Sequence, residues 1–485
     1  MNNTLRPKVK FLEKNLIEDI IQEAFEVLEK IGVEVENREA IKLLSDSGAN
    51  INISKNRVHI PQHLVEKSLK SVPSLIEIYN STGEKSFKLE GDNVYFDPGS
   101  AAIKILDFKT QRFRKPLTED YINFCKVTEE MENIKLQSTA IVPSDVPEEI
   151  ADRYRLLLSL IYCSKPVVTG TFTVESFKFM KDMLVAVRGN KKNLEQKPLA
   201  IFDACPSPPL KWSNLTCQSF IECAKSGIPV ELVSMPLAGA TSPITLAGTL
   251  VQHTAENLSG IVISQLARKG APIIYGGSPS IFDMKNGTTP MGAIETMMID
   301  CAYAEIGKYL RLPTHSYMGL SDSKSLDSQS GIESGVGIIL SALAGINVVS
   351  GAGMLSFESC QSIEKLIIDN EICGIALRLI RGIEKKERPF AYNLLSRFEE
   401  KKHFLTMPET LREYKNEFLF LSNIIDRGTY EEWVRNGAKT SPQKALEKAN
   451  EILSKKDFYR LDEFTRRELT KIIETKNFKI SQCQP

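Results

Sequence analysis

Residues suited to chemistry cluster where apolar runs of this sequence end. Tyr95-Phe96-Asp97-Pro98-Gly99-Ser100 joins two aromatics and a carboxylate beside a turn. Further along, Thr169–Phe172, Asp203-Ala204-Cys205, Glu231 with Ser234-Met235, Tyr275-Gly276-Gly277, His315–Tyr317 and Ser350–Gly353 each close an apolar run. Together they suggest an enzyme with a semi-polar, aromatic-bearing pocket, and a histidine near a carboxylate suits proton transfer. The densest polar cluster is Ser321–Gln329 with Glu333. It includes Asp322 and Lys324, and its acidic spacing matches no calcium loop. A plainer reading stands beside each: a buried aromatic pair with Asp97 capping a turn, and Asp327 or Ser328 as a helix N-cap. His253 falls on a predicted helix and reads as structural, His315 stands at a strand end, and His59 and His63 read as surface residues. The hydrolase elbow G-x-S-x-G and a Walker loop are absent, and Gly351-Ala352-Gly353 lacks the third glycine of a dinucleotide fingerprint.

Positioning these residues requires strands that alternate with helices. The apolar runs predict strands at Leu136–Val142, Pro166–Phe172, Leu199–Ala204, Val230–Met235, Ala271–Tyr275, Pro313–Met318 and Ile346–Ser350, with a short final one at His403-Phe404-Leu405. Helical periodicity fills the gaps, and a long helix is predicted over Ser356–Arg381. Eight strands, each preceded after the first by a helix, fit a (β/α)8 barrel of the α/β class, whose reactive groups sit at strand C-termini. The doubly wound open sheet is the other fold the pattern allows. Residues 1–75 read as a helical segment and 76–117 as a small antiparallel β meander packed on the barrel. The barrel is then expected over 118–408, with C-terminal helices and a loose tail over 409–485.

The composition narrows the partners. Lys+Arg and Asp+Glu both number 61, so the formal net charge is zero. That balance argues against nucleic acid or an anionic membrane as the main partner. No apolar run approaches the ~18 residues of a membrane span, and MNNTLRPKVKFLEKN lacks a signal-peptide core. Nine scattered cysteines without a Cys-x-x-Cys pair read as reduced thiols of a cytoplasmic protein.

The segments PLAGATSPITLAGTLVQHTAENLSGIVISQL (Pro236–Leu266), APIIYGGSPSIFDMKNG, GLSDSKSLDSQSGIES and LLSDSGANINISKNRVHIPQHLVEKSLKSVP (Leu43–Pro73) resemble the trimethylamine methyltransferase superfamily, over most of the chain. The resemblance implies a (β/α)8 barrel that moves a methyl group from an amine to the Co(I) corrinoid of a separate carrier protein. The trimethylamine enzymes use pyrrolysine, and this sequence contains only standard residues. It therefore resembles the branch acting on quaternary amines such as glycine betaine, proline betaine and carnitine. His403–Thr410 departs from the pattern, since relatives often carry further histidines there.

For that chemistry Tyr95, Phe96, Phe172, Tyr275, Phe282 and Tyr317 are candidate cage residues, and Asp97 and Glu231 candidate charge partners. His315, Lys324 or backbone amides near Gly276-Gly277 and Gly351–Gly353 would meet a substrate carboxylate. Glu231, His315 and Asp322 are the candidate catalytic groups. The cobalamin motif Asp-x-His-x-x-Gly is absent, so the corrinoid is expected on a partner, with no cofactor or metal held tightly by this chain. The expected partners are thus the corrinoid carrier and a small quaternary amine, with a homo-oligomer as an open alternative to a monomer. The alternatives are a trimethylamine-type substrate, a non-catalytic betaine or osmolyte binder, and a barrel hydrolase or lyase using His315 with a carboxylate.

Overall fold

Short β-branched runs such as Val167–Thr169 and Val348–Ser350 favour pleated backbone, and here they pair in chain order. The structure is a computed structural model and describes residues 5–398, 402–419, 422, 424–455 and 459–474. Its main sheet has eight parallel strands: β1 (Tyr95–Phe96), β2 (Gln137–Ser138), β3 (Val167–Thr169), β4 (Ala200–Ala204), β5 (Val230–Leu232), β6 (Ile273–Gly277), β7 (Thr314–Tyr317) and β8 (Val348–Ser350). Val348 and Val349 pair with Tyr95 and Phe96, which joins β8 to β1. The Phe96 carbonyl accepts from the Lys135 and Leu136 amides at 3.0 and 3.3 Å, closing β1 onto β2. The result is a (β/α)8 barrel. Its helices are α1 (Thr118–Glu130), α2 (Ala151–Tyr162), α3 (Ser176–Arg188), α4 (Asn214–Ser226), α5 (Leu246–Ala267), α6 (Ile294–Tyr309), α7 (Ser328–Ala344) and α8 (Ile363–Ile380).

The first barrel strand lies inside the stretch assigned to the meander, and His403-Phe404-Leu405 is not a strand. That segment is an exposed series of bends and a turn. The sequence reads as a strand over Val94–Phe96, but its neighbours in a β-rich stretch place it with the meander, whereas the isolated apolar pair Phe404-Leu405 imitates a strand. The helix expected from Ser356 begins only at Ile363, because Met354–Leu355 and Cys360–Gln361 form a β-hairpin first.

The N-terminal segment has the expected helices, Lys14–Glu26, Arg38–Asp46 and Gln62–Leu69, but it is not purely helical. Val33–Val35, Asn50–Asn52 and Arg57–His59 join Lys211–Trp212 in a four-stranded sheet. Gly32 (φ +76°) makes the entry, since a Cβ there would lie 2.5 Å from the Val58 carbonyl oxygen.

Two hairpins close the barrel's ends. Ile76–Tyr79 pairs antiparallel with Lys85–Leu89. Its Ile76, Ile78, Phe87 and Leu89 pack against Leu136, Val168, Ile201, Ile274 and Val348, the lower interior layer. Lys104–Asp107 and Arg112–Arg114 form the second hairpin, which pairs through Lys104 and Ile105 with Cys360–Gln361. C-terminal helices Pro408–Glu417, Tyr430–Arg435, Ser441–Leu453 and Glu463–Ile473 follow. Ser441–Leu453 packs on α8 and α1, and Glu463–Ile473 packs on α3 and α2. The tail expected for the last ten or so residues lies outside the described residues. Among the described residues no helix is long and apolar enough to cross a membrane, and the eight described cysteines are free thiols.

Candidate active site at the C-terminal end of the barrel

Side chains alternate between the two faces of a strand. Ile201, Ile274 and Val348 fill the lower interior layer, so Asp203, Gly276 and Ser350, two residues on, face the same interior one layer higher. Tyr95 lies in the lower layer, stacked on Phe87 with centroids 4.4 Å apart, and Asp97 follows it upward. Glu231 is in register with Asp203 across β4 and β5. An apolar cluster of Ala102, Val233, Met291, Tyr317, Leu320 and Met354, mostly from segments that follow the strand ends, includes a neighbour of this layer in Tyr317. Asp97, Glu231, His315 and Ser350 have no exposed surface.

These groups form a connected set. Ser350 Oγ donates to Asp97 Oδ2 at 2.6 Å, and the Gly99 amide donates to Asp97 Oδ1 at 2.7 Å. His315 Nε2 lies 3.1 Å from Ser350 Oγ and 3.4 Å from Glu231 Oε1. Because Ser350 gives its proton to Asp97, His315 is assigned as the Nε2–H tautomer. Gly276 permits this placement, since a Cβ there would stand 2.9 Å from His315 Nδ1. Burial holds the His315 pKa down to about 3, so the ring is neutral.

Burial also raises the carboxyls. Asp97 is pushed up to about 7, against its bonds from Ser350 and Gly99. Asp203 is pushed up to about 6, with a hydrogen bond from Glu231 opposing the rise. Glu231 rises further, first from burial and then from the neighbouring Asp203 charge. Glu358 is raised by burial and by Asp203 and Asp97. It ends a run, Ser356-Phe357-Glu358, in which all three residues have positive φ (+53°, +56° and +65°). Non-glycine residues take this backbone at a cost of about 1–2 kcal/mol each, a strain typical of functional sites.

Of the candidate residues, the structure brings Asp97, Glu231, His315 and Tyr317 together. Tyr317 stands edge-on to His315 with centroids 5.1 Å apart, and its hydroxyl meets Ser100 Oγ at 2.8 Å. Phe172 lies at the rim with its ring 4.4 Å from the Arg155 guanidinium. The expectations for Tyr95, Phe96 and Tyr275 are corrected. Tyr95 belongs to the lower layer and Phe96 to the core outside the barrel. Tyr275 also points outward, bonding Thr254 Oγ1 at 3.0 Å beside His253 and Tyr303. Phe282 sits half-buried beyond β6, its amide bonded to the Ala238 carbonyl at 3.0 Å.

Asp322 and Lys324 form a separate group. Asp322 accepts from the Met291 and Gly292 amides at 3.1 and 2.8 Å, which fastens the loop before α6. Lys324 Nζ donates to the Asp322 carbonyl at 2.7 Å and stands 4.1 Å from the Phe357 ring. Lys324 therefore braces the loop that presents Glu358, while Asp322 holds the loop before α6. Asp327 caps α7 by accepting from the Ser330 amide at 3.0 Å, and His253 is a neutral core residue stacked on Tyr303.

The sequence reading missed Arg155 and Glu358. Arg155 lies on α2, where Asp152, Arg153 and Arg155 are all buried in an otherwise apolar helix. That run of charge was the available signal. Glu358 was concealed inside a predicted helix. Among the described residues no cluster of histidine, cysteine and carboxylate side chains is arranged to hold a metal ion.

Residues 2–481 match the family model described as trimethylamine methyltransferase. The chain is 34% identical over 428 residues to the trimethylamine methyltransferase of Desulfitobacterium hafniense, covering 88% of this chain and 86% of that one. It is 30% identical over 452 residues to a glycine betaine methyltransferase of the same species, covering 93% of each. Among solved structures, the monomethylamine methyltransferase of Methanosarcina barkeri superposes with a TM-score of 0.53 at 11% identity, covering 92% of this chain and 89% of that one. That similarity supports the barrel fold alone.

Proposed function

This chain belongs to the trimethylamine methyltransferase family and is a methyltransferase, and from that premise we propose that it demethylates a quaternary amine of the glycine betaine type. The methyl acceptor is a corrinoid on a separate carrier protein, which supplies a Co(I) nucleophile over the barrel's C-terminal mouth. The observation that carries the reading is the convergence of Asp97, Asp203, Glu231 and Glu358 on one layer, with Asp97 and Glu231 fully buried and Asp203 and Glu358 half-buried. Apart from the proton that Asp203 and Glu231 share, neither Glu231 oxygen nor Asp203 Oδ1 has a hydrogen-bond partner among the described residues. Buried carboxyls in such a group need a cation or a proton. A tetraalkylammonium supplies charge without N–H donors, so it matches groups that hold by field rather than by directed bonds.

The chain's own work is binding and orientation. The carboxyls and the Tyr317 ring hold the ammonium, while the His315–Ser350–Asp97 bonds keep the neighbouring groups rigid. As the methyl leaves, the methyl–nitrogen bond breaks with its electron pair staying on nitrogen, and the positive charge disappears. The carboxyls then lose their counter-ion and take up protons, which favours product release. A quaternary nitrogen needs no proton to leave as a neutral amine, consistent with a site whose histidine is uncharged.

The test mixes the purified protein with carrier-bound Co(I) corrinoid and a panel of glycine betaine, proline betaine, carnitine, choline and trimethylamine, following the Co(I) absorbance. Loss of the Co(I) spectrum with a quaternary amine alone supports the reading. Loss with trimethylamine alone favours the second reading, a trimethylamine substrate, which the 34% identical relative supports. Silence with every amine overturns both.

A further inference from the structure

Arg155 is a buried charge that its surroundings do not use up. It reaches from α2 with 1% of its surface exposed. Nη1 donates to the Thr139 carbonyl at 2.7 Å, and Phe172 covers one face of the guanidinium. Nε has no partner among the described residues. Asp152 and, less strongly, Asp203 lie within electrostatic reach of the guanidinium, yet no hydrogen bond joins either to it among the described residues, and Asp203 Oδ1 has no partner there beyond the proton shared with Glu231. A buried arginine ordinarily takes a carboxylate as a bidentate partner. Unpaired atoms left on both sides fit a ligand that carries both charges.

The other groups considered for an acid are already engaged. His315 is neutral, and Lys324 is held by the Asp322 carbonyl and Phe357. The Gly276 amide donates to Asn257 Oδ1, the Gly351 amide to the Asp97 carbonyl and the Gly353 amide to Asp369 Oδ2. We infer that Arg155 receives the carboxylate of a zwitterionic substrate whose ammonium end faces Asp97, Asp203, Glu231 and Glu358. The site then selects an ammonium with an acid group a short chain away over a plain cation. Phe172 acts by covering the guanidinium rather than by caging the ammonium. This inference rests on the quaternary-amine reading above.

Calorimetric titration of the full-length protein with glycine betaine, choline and tetramethylammonium tests it. Wild-type protein should bind glycine betaine at least about tenfold tighter than choline or tetramethylammonium. Arg155→Gln should remove that advantage while changing tetramethylammonium affinity less than about twofold, and Arg155→Lys should fall between. Phe172→Leu, at a rim position, should weaken only glycine betaine, and it serves if Arg155→Gln does not fold. Equal affinity of wild-type protein for the three probes overturns the inference but leaves the quaternary-amine reading standing, as does equal loss for all three in the variants. Binding of none of them overturns both.

Discussion

Asp203 and Glu231 stand side by side in register on adjacent parallel strands, Glu231 fully buried and Asp203 half-buried with its Oδ1 shielded from water. Side-by-side like charges destabilise a sheet, and burial makes two ionised carboxyls costlier still. The pair therefore keeps a proton, held chiefly by Glu231. A fold that tolerates this arrangement with only Arg155 nearby, and no hydrogen bond from it to either carboxyl, is organised for an incoming cation.

Glu231→Gln should separate stability from function. The amide keeps the shape and removes the need for a shared proton, so thermal melting should be unchanged or slightly higher. Turnover should fall at least about tenfold, because one counter-charge is gone. A clear drop in melting temperature with normal turnover would show the carboxyl to be structural.

Affinity for tetramethylammonium should rise with pH. In the free protein Asp97 titrates near 7 and Asp203 near 6, and Glu231 and Glu358 are raised as well. A carboxyl with a raised pKa contributes stability below its unfolded value and loses it as pH rises through the folded one. A bound cation favours the ionised forms, so binding releases protons and strengthens from about pH 5.5 to 8. Of the other facing groups, His315 and Tyr317 stay neutral and Arg155 stays charged throughout. The ligand-induced rise in Tm should grow over the same range, and a flat profile would refute the carboxyl layer as the cation site.

Two tyrosines should behave oppositely. Tyr275→Phe removes a buried hydroxyl bonded to Thr254 and should cost about 1 kcal/mol of stability with KM unchanged. Tyr317→Ala removes a ring beside His315 and should raise KM about tenfold or more. Steady-state kinetics with melting curves on both variants checks the contrast. An altered KM in Tyr275→Phe would return that residue to the binding surface.

The sequence by itself determined the alternation of strands and helices, the family, an α7 cap at Asp327 or Ser328, and the places where strands end in polar residues. These are local properties: hydrophobic period, turn chemistry and short-range order. It could not say which face each strand-end residue takes. Phe96 and Asp97 are neighbours, as are Tyr275 and Gly276, and a step of one residue exchanges core for site. Aromatic type at a strand end thus pointed to Tyr275, while the pleat sent it outward to Thr254. Only the tertiary structure closed the barrel through the two residues Tyr95-Phe96, paired Asp203 with Glu231, brought Arg155 across from a helix, and bent the 356–358 loop so that Glu358 meets the same layer. Those groups are far apart in the chain, and their shared field exists only once the barrel has excluded water from between them.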